Sequence, residues 1–311
     1  MLEVIDKGHC TEEHRAPLLF VHGVGHGAWC WDEHFLDYFA DKGYRALALS
    51  LRGHGNSPSS KPLRSCSLAD YVDDVGSVAD SLPARPVVIG HSLGGFVVQK
   101  YLEGHDAPAG VLMGSFPAGG SLGLSLRRMK SHPWLFAKTA LTGKMLPALN
   151  TPELAREAFF SAKTPELNVV RCLERLQEES PKALAETMFR RTRPELIDAP
   201  LLVLGAECDF GVAPKQVRAT ARAYRTEAEF FPDMGHNMML EPGWQAVAER
   251  IDGWLTARAT RFPRRSLRKA QCGGRIAKVW RANEPRERTN RGINVSGMLM
   301  LGSVVTRAVC A

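Results

Sequence analysis

The sequence predicts an α/β fold with a mostly parallel central sheet and helices on both of its faces. Short apolar segments at residues 86–89, 111–115 and 200–205 have the length and composition of buried strands. Segments with helical spacing alternate with them, and such alternation is typical of parallel strands joined by helical crossovers. About 240 residues take part in this pattern, which fits one large domain.

The remaining core elements follow in chain order. Residues 43–50 predict a strand, and a helix that begins at residues 68–75 precedes the strand at 86–89. A second helix follows Gly95. A short strand is expected at 228–231, and a terminal helix starts near Pro242.

Between Pro117 and Pro194 the strand-like segments give way to helical spacing. We therefore assign residues 1–117 and 195–258 to the core and 118–194 to an inserted helical cap. Pro152 and Pro165, each followed by a glutamate, are typical of helix starts. The spacing predicts helices near 122–130, 134–142, 152–162, 166–179 and 181–190.

Apolar residues in and beside this insertion are candidates for lining a substrate pocket, although each is equally compatible with the core of the insertion. They are Phe116, Trp134, Leu135, Phe159 and Phe160. The basic cluster Arg127, Arg128 and Lys130 could meet an acidic substrate. We interpret it instead as a solvated helix face.

The motif Gly-His-Ser-Leu-Gly at residues 90–94 lies between a predicted strand and a predicted helix. In this context Gly-x-Ser-x-Gly forms a nucleophile elbow, with Ser92 at a strained turn. Gly90 and Gly94 are needed because a sharp strand-to-helix turn leaves no room for a Cβ atom at either position. The amide of Leu93 is then directed at a future oxyanion.

A nucleophilic serine needs a base and a carboxylate that orients the base. His236 follows the short strand at 228–231, where a loop can bring an imidazole over an earlier strand end. Asp209, in the loop after the strand at 200–205, is our choice of acid, with Glu207 as the rival. Asp198 and Asp233 are interpreted as a turn residue and a solvated charge.

These segments together resemble the α/β-hydrolase-fold serine hydrolases, from about residue 17 to residue 257. Residues 19–24 are similar to the His-Gly segment after the third strand of that superfamily, and residues 51–57 to its Arg-Gly-x-Gly-x-Ser loop after the fourth. The resemblance implies that the Val24 amide is a second oxyanion donor. It also implies that His22 and Gly23 shape the supporting turn, and that the insertion lies over the nucleophile, between strands six and seven.

Residues 22–31 further resemble the opening of the plant methylesterase and hydroxynitrile lyase group. The match ends at residues 52–57, a loop that those plant proteins usually lack, and residues 234–242 look like bacterial hydrolases of the lysophospholipase-like type. The plant substrates are therefore not carried over.

The expected activity is cofactor-independent hydrolysis of a carboxylic ester, thioester or lactone, because a serine at the elbow attacks a carbonyl and forms an acyl-enzyme. Carbon–carbon hydrolases, haloperoxidases and perhydrolases keep the same Ser-His-Asp set and stay open as alternatives. A small-ligand receptor on the same scaffold is an alternative of another class. No metal is expected, and the oligomeric state is left open.

The net charge of +7 is unevenly distributed along the chain. Residues 259–311 carry 12 Lys or Arg and 2 Asp or Glu, whereas residues 1–258 carry 28 and 31. This basic tail lacks sustained periodicity and is predicted to be disordered; a nucleic-acid-binding role is not favoured.

Three further features bear on the compartment of the protein. The seven cysteines show no paired spacing, and the N-terminus lacks a basic segment followed by an apolar one. The apolar residues 297–305 are too few to span a bilayer. A cytoplasmic protein without a membrane span is the expectation.

Overall fold

The computed structural model describes the backbone of residues 1–261 and the side chains of residues 1–258. Apart from the last turn of the final helix, the predicted disordered tail at 259–311 lies outside the described residues. The described residues form a seven-stranded sheet of order β1-β3-β2-β4-β5-β6-β7. Its strands are β1 Val4–Lys7, β2 Leu18–Val21, β3 Ala46–Leu49, β4 Val87–His91, β5 Gly110–Met113, β6 Leu201–Ala206 and β7 Ala228–Phe231.

Only β1 runs antiparallel to its neighbour, and all other pairs are parallel. The predicted fold class, α/β with a mostly parallel sheet, is confirmed. The strand numbers differ from those that the resemblance implies. Only one strand precedes β2 in the described residues, so the strands expected as the third, fourth and sixth are β2, β3 and β5.

Six helices of the core connect or follow these strands. They are α1 Trp29–Asp32, α2 Phe35–Asp41, α3 Leu68–Asp80, α4 Leu93–Leu102, α10 Pro214–Ala223 and α11 Trp244–Arg261. The start of α3 is fixed by a reciprocal capping box, in which the Ser67 hydroxyl accepts from the Asp70 amide and the Asp70 carboxylate accepts from the Ser67 amide.

The core occupies both faces of the sheet. Leu18 and Phe20 of β2 pack into one buried cluster, with α1, α2 and α11, whereas Leu19 and Val21 pack into the other, with α3 and α4. Adjacent strand residues point to opposite faces, so a continuous apolar strand serves two layers of helices.

Five helices lie in the insertion between β5 and β6, close to the predicted positions. They are α5 Leu122–Ser131, α6 Pro133–Thr142, α7 Pro152–Phe159, α8 Glu166–Arg175 and α9 Pro181–Phe189. Helix α8 ends four residues before the predicted Glu179. The chain after it is bonded to the core instead: the Gln177 amide donates to the Gly25 carbonyl at 2.8 Å, and its side-chain oxygen accepts from the Gly55 amide at 2.6 Å.

The parallel register brings the carboxyl ends of the central strands to one edge of the sheet. Val21 lies opposite Gly90, and Gly90 lies opposite Leu112. The loops that leave β2, β4, β6 and β7 at this edge carry His22, Ser92, Asp209 and His236. The edge is where ligands bind in open α/β sheets.

Candidate active site

Ser92 is the single residue between β4 and α4, and its backbone has a φ of 54° and a ψ of −119°. A positive φ is strained for a residue with a side chain and costs about 1–3 kcal/mol. The predicted need for glycine is supported by the packing. A Cβ on Gly90 would lie 2.5 Å from the Gly94 carbonyl oxygen, and one on Gly94 would lie 2.3 Å from the His22 carbonyl oxygen.

The structure brings the three predicted side chains into one hydrogen-bonded array. Ser92 Oγ is 2.8 Å from His236 Nε2, and His236 Nδ1 is 2.7 Å from Asp209 Oδ2. The other carboxylate oxygen of Asp209 accepts from the Val212 amide at 2.7 Å. Because Nδ1–H donates to the carboxylate, Nε2 is left to accept the serine proton.

All three residues of the array are buried, with at most 5% of each exposed. Glu207, the rival acid, is exposed at the surface, as are Asp198 and Asp233. Asp233 pairs with Lys163 at 2.8 Å on the surface. Only Asp209 among these carboxylates contacts His236.

The loop after β2 packs directly against the serine, because a Cβ on Gly23 would lie 2.9 Å from Ser92 Cβ. Within residues 1–258, the amide nitrogens of Val24 and Leu93 donate to no protein acceptor. Leu93 is the first residue of α4, whose amino end carries partial positive charge. The β2 loop and the residue after Ser92 thus each offer an amide that has no protein acceptor in this part of the chain.

His22 makes the contacts of a structural histidine. Its Nδ1–H donates to the Gly23 carbonyl at 2.8 Å, and its Nε2 accepts from the Leu51 amide at 3.0 Å. Burial, assisted by nearby His54, lowers the pKa of His22 to about 3. The ring is thus neutral at physiological pH and ties the β2 loop to the β3 loop.

Sequence reasoning gave no role to two more histidines that surround the array. His91 Nε2 donates to the His236 carbonyl at 2.9 Å, and burial holds the pKa of His91 well below its usual range. His26 Nδ1 donates to the Val24 carbonyl at 2.8 Å, and its Nε2 accepts from the Asn237 side chain at 3.0 Å. The one available signal was adjacency, since His91 precedes Ser92 and Asn237 follows His236.

Glu241 is a further residue that the sequence did not reveal. Its buried carboxylate accepts from the Gly235 amide at 3.0 Å, one residue before His236. It also accepts from the Ser161 amide at 2.5 Å, the Ser161 hydroxyl at 2.7 Å and the Thr164 hydroxyl at 2.9 Å. The loop that carries the imidazole is therefore fixed to the insertion through one carboxylate.

A cavity of about 270 Å³ opens over Ser92 and His236. Of the predicted pocket residues, Phe116, Leu135 and Phe159 line it. Trp134 does not: it is 77% exposed, because it lies next to Leu135 on α6 and so points to a different side of that helix. Phe160 also does not, since it follows the last residue of α7 in extended conformation and packs into the core.

The interpretation of the basic cluster as a solvated face is wrong for two of its three members. Arg127 and Arg128 line the cavity, whereas Lys130 is exposed. Their guanidinium carbons lie 5.1 and 5.8 Å from the ring centre of Phe210, the residue after Asp209. Helix α5 thus turns its two arginines toward the site.

Residues 18–250 match the Alpha/beta hydrolase family, and the chain belongs to that family. The structure agrees, since a thermophilic esterase from Thermogutta terrifontis superimposes with a TM-score of 0.66 at 19% identity, covering 83% of this chain and 94% of that one. The resemblance inferred from the motifs is confirmed.

Curated relatives include a rice (Oryza sativa subsp. indica) protein described as a probable esterase, 32% identical over 57% of this chain. The match spans 61% of the length of that relative. The monoacylglycerol lipase of Mycolicibacterium smegmatis is 24% identical over 78% of this chain and 89% of its own length.

Neither a membrane span nor a metal site is present in the described residues. No helix there has the length and apolar content to cross a membrane. No group of three or more His, Cys, Asp or Glu side chains there could hold a metal ion.

Proposed function

We propose that the protein is a serine hydrolase that cleaves a carboxylic ester through Ser92, His236 and Asp209. The observation that carries the proposal is the 2.8 Å contact between Ser92 Oγ and His236 Nε2. The same imidazole contacts Asp209 at 2.7 Å through its other nitrogen. Such a contact lets the imidazole take the serine proton as the oxygen attacks a carbonyl.

Each residue of the site then has a role in two half-reactions. In the first, His236 removes the Ser92 proton, the substrate carbonyl becomes a tetrahedral oxyanion, and the Val24 and Leu93 amides donate to that oxyanion. The protonated imidazole returns its proton to the leaving alcohol, and an acyl-enzyme remains. In the second, water gives its proton to His236, attacks the acyl carbon and releases the acid, and Ser92 regains its hydrogen.

Asp209 keeps its hydrogen bond from Nδ1 and stabilises the imidazolium that forms in each half-reaction. The insertion at residues 118–194 acts as a cap. Its side chains supply much of the cavity lining, so the cap excludes water from the reacting atoms and selects the substrate. The relatives described as esterase and lipase support an ester as the substrate class.

The test is labelling by a fluorophosphonate together with turnover of 4-nitrophenyl short-chain esters. We expect the wild-type protein to be labelled, and Ser92→Ala to lose both the label and about 10⁴-fold or more of the turnover. Ser115→Ala is the matched control. Ser115 is a buried serine near the elbow whose hydroxyl bonds Gln99 and the Phe116 carbonyl instead of a histidine.

Label and turnover that persist in Ser92→Ala would refute the assignment of the nucleophile. Labelling of Ser92 without turnover of any ester would instead direct the search to carbon–carbon cleavage or perhydrolysis. Tight ligand binding without labelling or turnover would favour a receptor.

A further inference from the structure

Helix α5 places its charged and apolar side chains in the reverse of the usual order. Leu122, Leu126 and Met129 are exposed, by 43%, 46% and 37%. Arg127 and Arg128, on the same helix, face the cavity instead. Arginine is among the residues that are almost never buried without a partner, so the inward pair needs a physical reason.

The two guanidinium groups have few partners among the residues that the structure describes. None of the ion pairs there includes Arg127 or Arg128, and Nη2 of Arg127 is buried without a hydrogen-bond partner. Arg128 donates one bond, at 3.3 Å, to the Ala148 carbonyl. Burial lowers the pKa of Arg128, and the charge of Glu157, whose carboxylate is bonded to His132, opposes this shift.

The described residues bring no negative charge to the cavity. Their part of its lining contains no Asp or Glu, and apart from Ser92, His236 and the arginines it is mostly apolar. The guanidinium carbons of both arginines lie over the ring of Phe210, a contact that attracts a cation without using any of its N–H donors. Within the described part of the chain the cavity thus offers no carboxylate to the two arginines, and a bound substrate can supply one.

We infer that the substrate carries a carboxylate at some distance from the scissile ester, and that Arg127 and Arg128 bind it at the α5 side of the cavity. A planar carboxylate fits the fork of a guanidinium better than a spherical anion does. A single negative charge also suits the site better than a phosphate dianion, because the remaining lining offers few further donors. This inference rests on the proposed function, since it concerns the substrate of the same site.

The inference predicts a preference between esters that differ only at their far end. The test compares mono-4-nitrophenyl esters of succinate, glutarate and adipate with 4-nitrophenyl butanoate, pentanoate and hexanoate. Each pair has the same chain length and differs by a carboxylate in place of a methyl group. We expect the wild-type enzyme to show a higher kcat/KM for at least one anionic member than for its neutral counterpart.

Arg127→Met keeps an unbranched apolar side chain and removes the guanidinium charge. We expect it to lower the ratio of kcat/KM between the preferred anionic ester and its neutral counterpart about 10- to 100-fold, the range for a hydrogen bond to a charged group. Arg127→Lys should retain part of the ratio. Lys130→Met, which removes an exposed cation from the same helix, should leave the ratio as it is in the wild type.

A ratio that stays at its wild-type value in Arg127→Met, or a wild-type enzyme that prefers the neutral esters, would overturn the inference while leaving the serine hydrolase intact. Calorimetric titration with glutarate and adipate gives a readout that needs no turnover. If the wild type binds a diacid and Arg127→Met does not, the carboxylate site is supported even if every ester proves inert. No binding of either diacid in a protein that hydrolyses only neutral esters contradicts it.

Discussion

The hydrogen bonds of Asp209 make the replacement Asp209→Asn a severe test of the proposed mechanism. One carboxylate oxygen accepts from the Val212 amide and the other from His236 Nδ1, each at 2.7 Å. Asparagine has the same shape but only one acceptor oxygen. If that oxygen keeps the Val212 bond, the side-chain NH₂ group faces Nδ1.

The imidazole must then change tautomer. With a donor opposite it, Nδ1 becomes the acceptor and the ring proton moves to Nε2, which lies 2.8 Å from Ser92 Oγ. An Nε2–H group cannot accept the serine proton. Rotating the amide restores the tautomer but sets two N–H donors against each other at Val212, so no orientation both keeps the Val212 contact and leaves Nε2 as an acceptor.

We expect Asp209→Asn to lower kcat about 10⁴-fold, equivalent to roughly 5 kcal/mol of transition-state stabilisation, as in other serine triads. The assay is turnover of 4-nitrophenyl esters, with circular dichroism to verify folding. Glu207→Gln is the control, because this rival carboxylate is exposed and a surface change of this kind should alter the rate less than about twofold. A folded Asp209→Asn enzyme within tenfold of the wild type would refute the role given to Asp209.

Two further predictions concern the support of the site. Gly94→Ala would place a Cβ 2.3 Å from the His22 carbonyl oxygen and should destabilise the protein by about 1–3 kcal/mol with loss of activity. Gly104→Ala, with no atom within 4 Å of the added Cβ, should show neither effect in denaturant melts and ester assays. Burial lowers the pKa of His26 from 6.5 to about 4, so its contribution to stability is complete above pH 6.5 and is lost as the pH falls toward 4. From pH 7 to pH 5 the loss should be about 2 kcal/mol, and urea titrations of His26→Gln should show a correspondingly weaker pH dependence; an unchanged dependence would contradict the cause.

The three side chains of the array could be predicted because each belongs to a local pattern with a steric or topological cause. Gly90 and Gly94 mark a turn that admits no Cβ, and the serine between them follows from the motif. Asp209 and His236 come after short apolar strands, and parallel strands bring such loops to one edge. Chain order and strand direction were therefore enough to predict these three residues.

The lining of the cavity could not be predicted in the same way. Which side of an inserted helix meets the core depends on how the helix packs, and periodicity gives only which residues share a side. Helix α5 departs from the usual rule that the apolar side of a helix faces the core, because its exposed leucines lie on the side that a hydrophobic pattern assigns to the core. Trp134 and Arg127 were misassigned for this one reason.

Two buried carboxylates connect the insertion to the reacting groups, and neither belongs to a sequence motif. Glu179, in the insertion, accepts from the Tyr71 hydroxyl at 2.6 Å and from the Gly25 amide at 3.3 Å, next to the oxyanion candidate Val24. Burial would raise the pKa of the Glu179 carboxyl, but His54 and these hydrogen bonds lower it to about 2, so it stays ionised.

Glu241 makes the reciprocal connection from the core. It holds Ser161 and Thr164 of the insertion together with Gly235, the residue before His236. Glu179 thus connects the insertion to the backbone beside the Val24 amide, and Glu241 connects it to the backbone beside His236. Each carboxylate accepts hydrogen bonds from several donors. A buried carboxylate that loses one of several donors costs about 1–3 kcal/mol or more. Movement of the insertion away from the core would therefore break the support of the Val24 backbone and of the His236 loop together. Under the proposed mechanism, the segment that shapes the cavity thus also sets the geometry of the reaction.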